Sequence, residues 1–154
     1  MVKWYRLGRG ILMFFTDIAT VYNYYIDANG NDAWKRTVIN GVQWRHQRII
    51  TSPNGTTEQR SKAESLTIDF AHEWFREGYV TPKAFNSLTD KSGVWTLNDE
   101  SGHDVVVFGE SPHEISNGFK LSQLHEIYDW VGTVTEVADN RNRNLLKNIK
   151  VILQ

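Results

Sequence analysis

The residues of this chain that could do chemistry are five histidines, His46, His72, His103, His113 and His125, and a scatter of acids. A helical zinc site needs two histidines four residues apart with a glutamate beside the first. His72-Glu73 and His113-Glu114 each supply half of that pattern and lack the second histidine. The densest group is Asp99, Glu100, His103 and Asp104. Three acids and an imidazole could serve a hydrolase or a metal, provided they converge in space with a further acid or histidine. With Asn98, Ser101 and Gly102 among them, they also describe a solvated hairpin tip, and that is the reading taken here. Gly8-Arg9-Gly10 lacks the preceding strand and the later glycine of a phosphate loop, and no Gly-x-Ser-x-Gly occurs. The chain has no cysteine, which excludes disulfides, thiolate metal sites and a cysteine nucleophile. No enzyme, metal site or cofactor is expected.

Surface contacts are the remaining kind of site. Arg141 and Arg143 lie in Asp139–Asn144, six polar residues with three asparagines, and could grip phosphate, meet an acidic partner or be solvated. Two cations on an otherwise acidic chain would give weak, salt-labile DNA binding. The run from Thr51 to Lys62 has no apolar residue and predicts an exposed, mobile loop. Its residues Ser52, Pro53, Asn54, Gly55, Thr56, Thr57 and Glu58 are the candidates for a docking or channel loop. Trp34, Trp44 and Trp95, on strands, are expected in the core. Trp74 and Tyr79, in irregular chain, are candidates for a subunit interface, where aromatic residues are enriched.

The elements that must position these residues are mostly strands. Alternation of apolar and polar residues predicts strands at 20–27, 33–39, 42–50, 65–70, 94–97, 133–137 and 148–153. The continuous apolar run within Asp104–Gly109 predicts a strand buried on both sides. Asn29-Gly30 and Asn40-Gly41 predict turns, and the change of phase at Ile49-Ile50 predicts a bulge or a strand leaving the sheet. Thr81-Pro82 suits a short helix from Pro82 to Leu88, and Ser111-Pro112-His113-Glu114 could open another. The main helix is expected near 122–130, capped by Ser122 and ended by Gly132, because Leu121, Leu124, Ile127 and Tyr128 recur at helical spacing. The sum is a mainly β chain: an antiparallel β-barrel or sandwich of about eight short strands with one main helix. The last two strands form a closing hairpin with a basic tip.

A length of 154 residues suits one domain with one core. Nineteen aromatic residues, six Trp, six Tyr and seven Phe, can fill it without staples. The formal net charge is −1, and residues 1–12 carry Lys3, Arg6 and Arg9 without an acid, so residues 13–154 carry −4. The apolar run Ile11–Phe15 is five residues, short of the roughly seven to fifteen of a signal peptide's core. Residues 1–12 are therefore read as an N-terminal extension, with Met13 as a candidate native start and 13–154 as the domain.

Several stretches together carry a resemblance: Met13-Phe14-Phe15-Thr16-Asp17, Val21-Tyr22-Asn23-Tyr24-Tyr25, Gly41-Val42-Gln43-Trp44-Arg45-His46, Asp104–Gly109 and Val137–Arg143. The chain resembles an uncharacterised family of phage and prophage proteins of Gram-positive bacteria encoded among head–tail joining genes. In layout it is similar to head-closure (stopper) connectors, small β-barrels that end in a strand, a turn and a strand closing the sheet. The resemblance implies a virion protein of the neck, made in the bacterial host cytoplasm. It also implies a homo-oligomeric ring joining head to tail and gating the DNA channel. Its partners would be the adaptor and the tail terminator or tail tube, with DNA passing unbound and no membrane involved. A tail terminator, a minor capsid protein and an OB-like nucleic-acid module are the alternatives. A net −4 suits a channel through which DNA slides. Charge reversal at Arg141 and Arg143 together is expected to leave folding intact.

Overall fold

A computed structural model describes residues 15–51, 55, 59–70 and 77–154. Residues 1–14, and with them Met13 and the N-terminal extension, lie outside the described residues. So do Ser52–Asn54, Thr56–Glu58 and 71–76, which hold Trp74 and the His72-Glu73 pair.

The chain runs β1 (Asp17–Ile26), β2 (Asp32–Thr51), β3 (Gln59–Asp69), α1 (Pro82–Ser87), β4 (Val105–Phe108), α2 (Leu121–Ile127), β5 (Val131–Asp139) and β6 (Asn148–Leu153). All strand pairs are antiparallel, and the order β1-β2-β3-β6-β5-β4 closes on itself as a barrel. The mainly β expectation thus holds, with six strands where eight were expected. Two segments account for the difference. Asn40-Gly41 makes no turn, and 33–39 and 42–50 are one twenty-residue strand. Gly41 takes φ +69°, and the register between β1 and β2 shifts there, with Asp17 opposite Val42 and Ile18 opposite Asn40. An extra left-handed residue in one strand is a bulge that bends it. The bend lets β2 pair with β1 before Gly41 and with β3 after it. The Asp17 carboxylate accepts the Trp44 N–H at 2.9 Å where β1 gives out. The segment 94–97 is no strand of the sheet: its bridge, Trp95 to Tyr79, is to a residue that also lies outside the strands.

Of the two readings of the phase change at Ile49-Ile50, the bulge is absent: β2 and β3 pair without a shift from Val42–Ile68 to Thr51–Gln59. Thr51 and 59–62 are therefore strand, and only 52–58 connect them. β6 meets β3 no further along than Glu64, so the β2–β3 arm continues past the barrel for five more pairs. At about 3.3 Å per residue it projects roughly 17 Å.

Alternation sorts β1 and β4 into two faces. Ala19, Val21 and Val106 join Val42, Leu66, Ile68, Val134, Ile149, Val151 and Leu153 inside the barrel. Tyr22, Val105 and Val107 point outward into a second cluster with Leu124 of α2, flanked by Ile115, Phe119 and Tyr128. The run Val105–Val107 is buried on both faces because α2 covers the outer one. α1 begins as its sequence implies, with Thr81 as cap and Pro82 in the first turn. α2 starts one residue before Ser122, after Lys120, whose N–H donates to the Gln123 side chain at 2.8 Å. It stops at Ile127, well short of Trp130. Ser111–Glu114 forms no helix. Its serine and the His113 carbonyl are taken up instead by the buried Tyr22 hydroxyl, at 2.7 and 2.8 Å. Among the described residues no helix is long and apolar enough to cross a membrane.

Gly132 does not end a helix. It lies within β5, fully under β6, and a Cβ there would stand 2.6 Å from the Leu153 Cβ. Gly132→Ala is expected to cost about 1–3 kcal/mol by overpacking, read as a lower urea midpoint. Gly118→Ala, where the nearest atom would be 3.8 Å away, should leave the midpoint unchanged.

Candidate functional site

The closing hairpin of β5 and β6 organises the surface, and its two ends differ in chemistry. At the turn end, Asp139 and Arg141 pair through Nε–Oδ1 at 2.9 Å and Nη2–Oδ2 at 2.6 Å. This bond holds the Asp139 carboxyl below the usual carboxylate range. The same guanidinium lies 4.6 Å from the centre of the Tyr79 ring and 5.6 Å from that of Phe70. Tyr79 in turn stands edge-on to Phe70 at 5.2 Å and to Trp95 at 4.9 Å. Burial pushes the Tyr79 hydroxyl up to about 12, against the pull of Arg141. Two residues named separately in the sequence, Tyr79 and Arg141, are therefore in contact, and together they close one end of the barrel. Arg141 is engaged within its own chain, so charge reversal there removes an ion pair and a ring contact.

Arg143 is different. It is exposed, and its side chain has no partner among the described residues. Leu145 and Leu146 follow at 81% and 80% exposure, and then the exposed Lys147. Leu146 has φ +57°, a left-handed conformation that costs a branched residue of order 1 kcal/mol or more. The turn is pinned in that shape: Asn148 Nδ2 donates to the Leu146 carbonyl at 2.9 Å and the Phe70 N–H to the Lys147 carbonyl at 2.8 Å. The tip is thus a shaped projection of two leucines between two cations.

The opposite end of the hairpin forms a cleft of about 270 Å³, lined by His46, Glu64, Asp129, Trp130, Gly132 and Leu153 among others. His46 Nδ1 lies 3.2 Å from Glu64 Oε1, while Glu64 Oε2 is buried without a partner. Trp130, 42% exposed, stands edge-on to Phe108 at 4.9 Å, and Phe108 edge-on to the buried Trp44 at 5.6 Å. Nothing in the sequence marks this cleft. Its parts are scattered over more than a hundred residues and meet through strand pairing, His46–Glu64, Glu64–Leu153 and Val107–Val131 among the pairs.

The acidic group at 99–104 does not converge. Asp104 turns inward and is 1% exposed. Its Oδ1 accepts the Tyr24 N–H, and its Oδ2 accepts Asn23 Nδ2 and the Asn98 N–H, at 2.8, 2.9 and 3.0 Å. Asp99 accepts the Val137 N–H at 2.9 Å, and His103 packs on the Tyr24 ring at 4.7 Å. No group of three acids, histidines or cysteines able to hold a metal occurs among the described residues. Of the tryptophans, Trp95 and Trp44 are buried as expected, and Trp34 is partly buried, donating to the His103 carbonyl at 3.1 Å. Gly55 is exposed with φ +68°. Its neighbours Ser52, Pro53, Asn54, Thr56, Thr57 and Glu58, and Trp74, lie outside the described residues.

A model of the family described as Family of unknown function (DUF6751) matches residues 14–152, and the chain belongs to that family. No curated protein and no solved structure matches the chain.

Two predictions test the division between structural and free groups. Arg141→Glu should lower the melting temperature, at a cost of about 1 kcal/mol for the exposed pair and ring contact, whereas Arg143→Glu should leave it unchanged. Burial pushes the Asp104 carboxyl up to about 6, over the opposing pull of its N–H donors. The folded value lies above the unfolded one, so this group's stabilisation is complete below pH 4 and is lost as pH rises through about 6. Asp104→Asn turns an N–H₂ toward N–H donors and should unfold at lower urea at every pH. That deficit should narrow by up to about 3 kcal/mol between pH 4 and pH 7.

Proposed function

We propose that this member of the family is a structural virion protein of a tailed phage or prophage. In this reading it is a head–tail connector of the head-closure type, forming a ring that joins head to tail and gates the DNA channel. The observation that carries the reading is the tip at Arg143–Lys147. It is a shaped projection, basic and apolar, whose Arg143 side chain has no partner among the described residues, on a barrel whose acids and histidines assemble no metal-holding group among the described residues. Pairs of exposed leucines held in a strained turn suit protein contact. The closed barrel ending in a strand, a turn and a strand agrees with the layout of such connectors. The β2–β3 arm runs five pairs past the barrel, an extension that suits a docking element. A net −4 over residues 13–154 lets DNA pass without adhering.

An OB-like nucleic-acid module would display aromatic rings flanked by cations. Here the exposed Trp130 is flanked by Asp129 and Glu64, which repel phosphate. The binding-module reading is therefore set aside in favour of protein contact.

The test is a phage carrying Arg143→Glu, Leu145→Ser and Leu146→Ser in this gene. The purified variant should melt as the wild type does, while lysates should contain DNA-filled heads and free tails unjoined in electron micrographs. Tails of uncontrolled length would point instead to a tail terminator. Normal yields of complete particles would overturn the role.

A further inference from the structure

We infer that the basic leucine tip of one copy docks in the acidic cleft of a second copy, making a head-to-tail contact between unlike surfaces. The argument starts from position. The tip joins β5 and β6 beyond Asp139 and Asn148, whereas the cleft is lined where the same two strands meet at Gly132 and Leu153. Seven residues of strand separate Gly132 from Asp139, roughly 23 Å at about 3.3 Å each. The tip is pinned at its own end by the Asn148 and Phe70 hydrogen bonds. One copy's tip cannot reach its own cleft.

The two surfaces are complementary. The tip offers a free guanidinium at Arg143, an ammonium at Lys147 and two leucines more than three-quarters exposed. The cleft offers Asp129, an exposed indole at Trp130 and the unpartnered buried Oε2 of Glu64. The exposed Asp129 carboxylate offers a partner to a planar guanidinium that stacks on the adjoining exposed indole. At about 270 Å³ the cleft lies just below the range of roughly 300–1,000 Å³ usual for small-molecule sites, a size suited to one long side chain. Its acids also exclude an anionic ligand.

Because tip and cleft differ, each docked copy leaves one of each unoccupied. Such a heterologous contact propagates, closing into a ring or running on as a filament according to the rotation per step. This names the self-contact of the connector reading and rests on that reading only for closure into a ring.

The test introduces a photoactivatable benzophenone amino acid at Asn144, between the two tip cations, in otherwise unlabelled protein. It is mixed with ¹⁵N-labelled wild type and irradiated. Adducts between light and heavy copies should map by mass spectrometry to peptides containing Glu64 or Asp129–Gly132. Arg143→Glu in the tip, or Asp129→Lys in the cleft, should each reduce the adduct at least about tenfold. Both side chains are exposed, so folding is unaffected. Both changes in one chain restore opposite charges and should restore the adduct. Absence of adducts between copies, or adducts mapping elsewhere, overturns the contact. If the adduct is absent while the tip variant still blocks head–tail joining, the tip meets a different virion protein: the connector role stands and the self-contact falls. If the adduct forms while joining is normal, the contact stands and the connector role falls.

Discussion

The buried carboxylate of Asp104 is the point on which the architecture turns. It receives N–H groups from β1, from the segment after Trp95 and from the Asn23 side chain. Asn23 completes the tie by exchanging hydrogen bonds with both backbone groups of Thr96. The segment 95–98 lies outside the strand ladders, and this knot ties it to β1 while Trp95 and Leu97 pack into the core. A carboxylate in such surroundings is expensive to desolvate, and the N–H donors offset the cost only in one arrangement of the three segments. The knot therefore specifies where the crossing segment lies, beyond whatever stability it contributes.

From there the two ends of the barrel acquire different characters. At one, Trp95, Tyr79, Phe70 and Arg141 form a plug in which an arginine supplies both a ring contact and an ion pair. The guanidinium is suited to this because it is planar and weakly hydrated. Elsewhere, a line of rings from Trp44 through Phe108 to Trp130 runs from the core out to solvent.

The sequence conveyed the strands well because alternation is a local property. It conveyed the doubly buried run at 105–107 and the Thr81-Pro82 start of α1 for the same reason. It misled at Asn40-Gly41, where a dipeptide that favours left-handed angles serves a bulge as readily as a turn, and only the pairing of β2 with two neighbours decides between them. Gly132 read as a helix stop because a missing side chain looks alike whether it frees the backbone or makes room for a neighbour. Asp104 looked like one of four solvated turn residues, since nothing local tells which of them points inward. Arg141 and Arg143 are two residues apart and were indistinguishable as sequence; one lies against Tyr79, sixty-two positions away, and the side chain of the other has no partner among the described residues. The cleft was invisible for the strongest form of this reason, being made wholly by register.

Closure of the ladder bears on how the molecule opens. An open sheet frays from its outermost strand, breaking one set of hydrogen bonds at a time. Here every barrel strand has a neighbour on each side, so releasing any of them disrupts two ladders together, and partial opening is correspondingly rare. The β2–β3 arm escapes this rule, because beyond Glu64 and His46 its strands pair only with each other among the described residues. The protein thus joins a body that yields as one unit to a two-stranded lever that can flex or exchange its amide protons by itself. Its rigidity and its freedom of movement are kept in separate places.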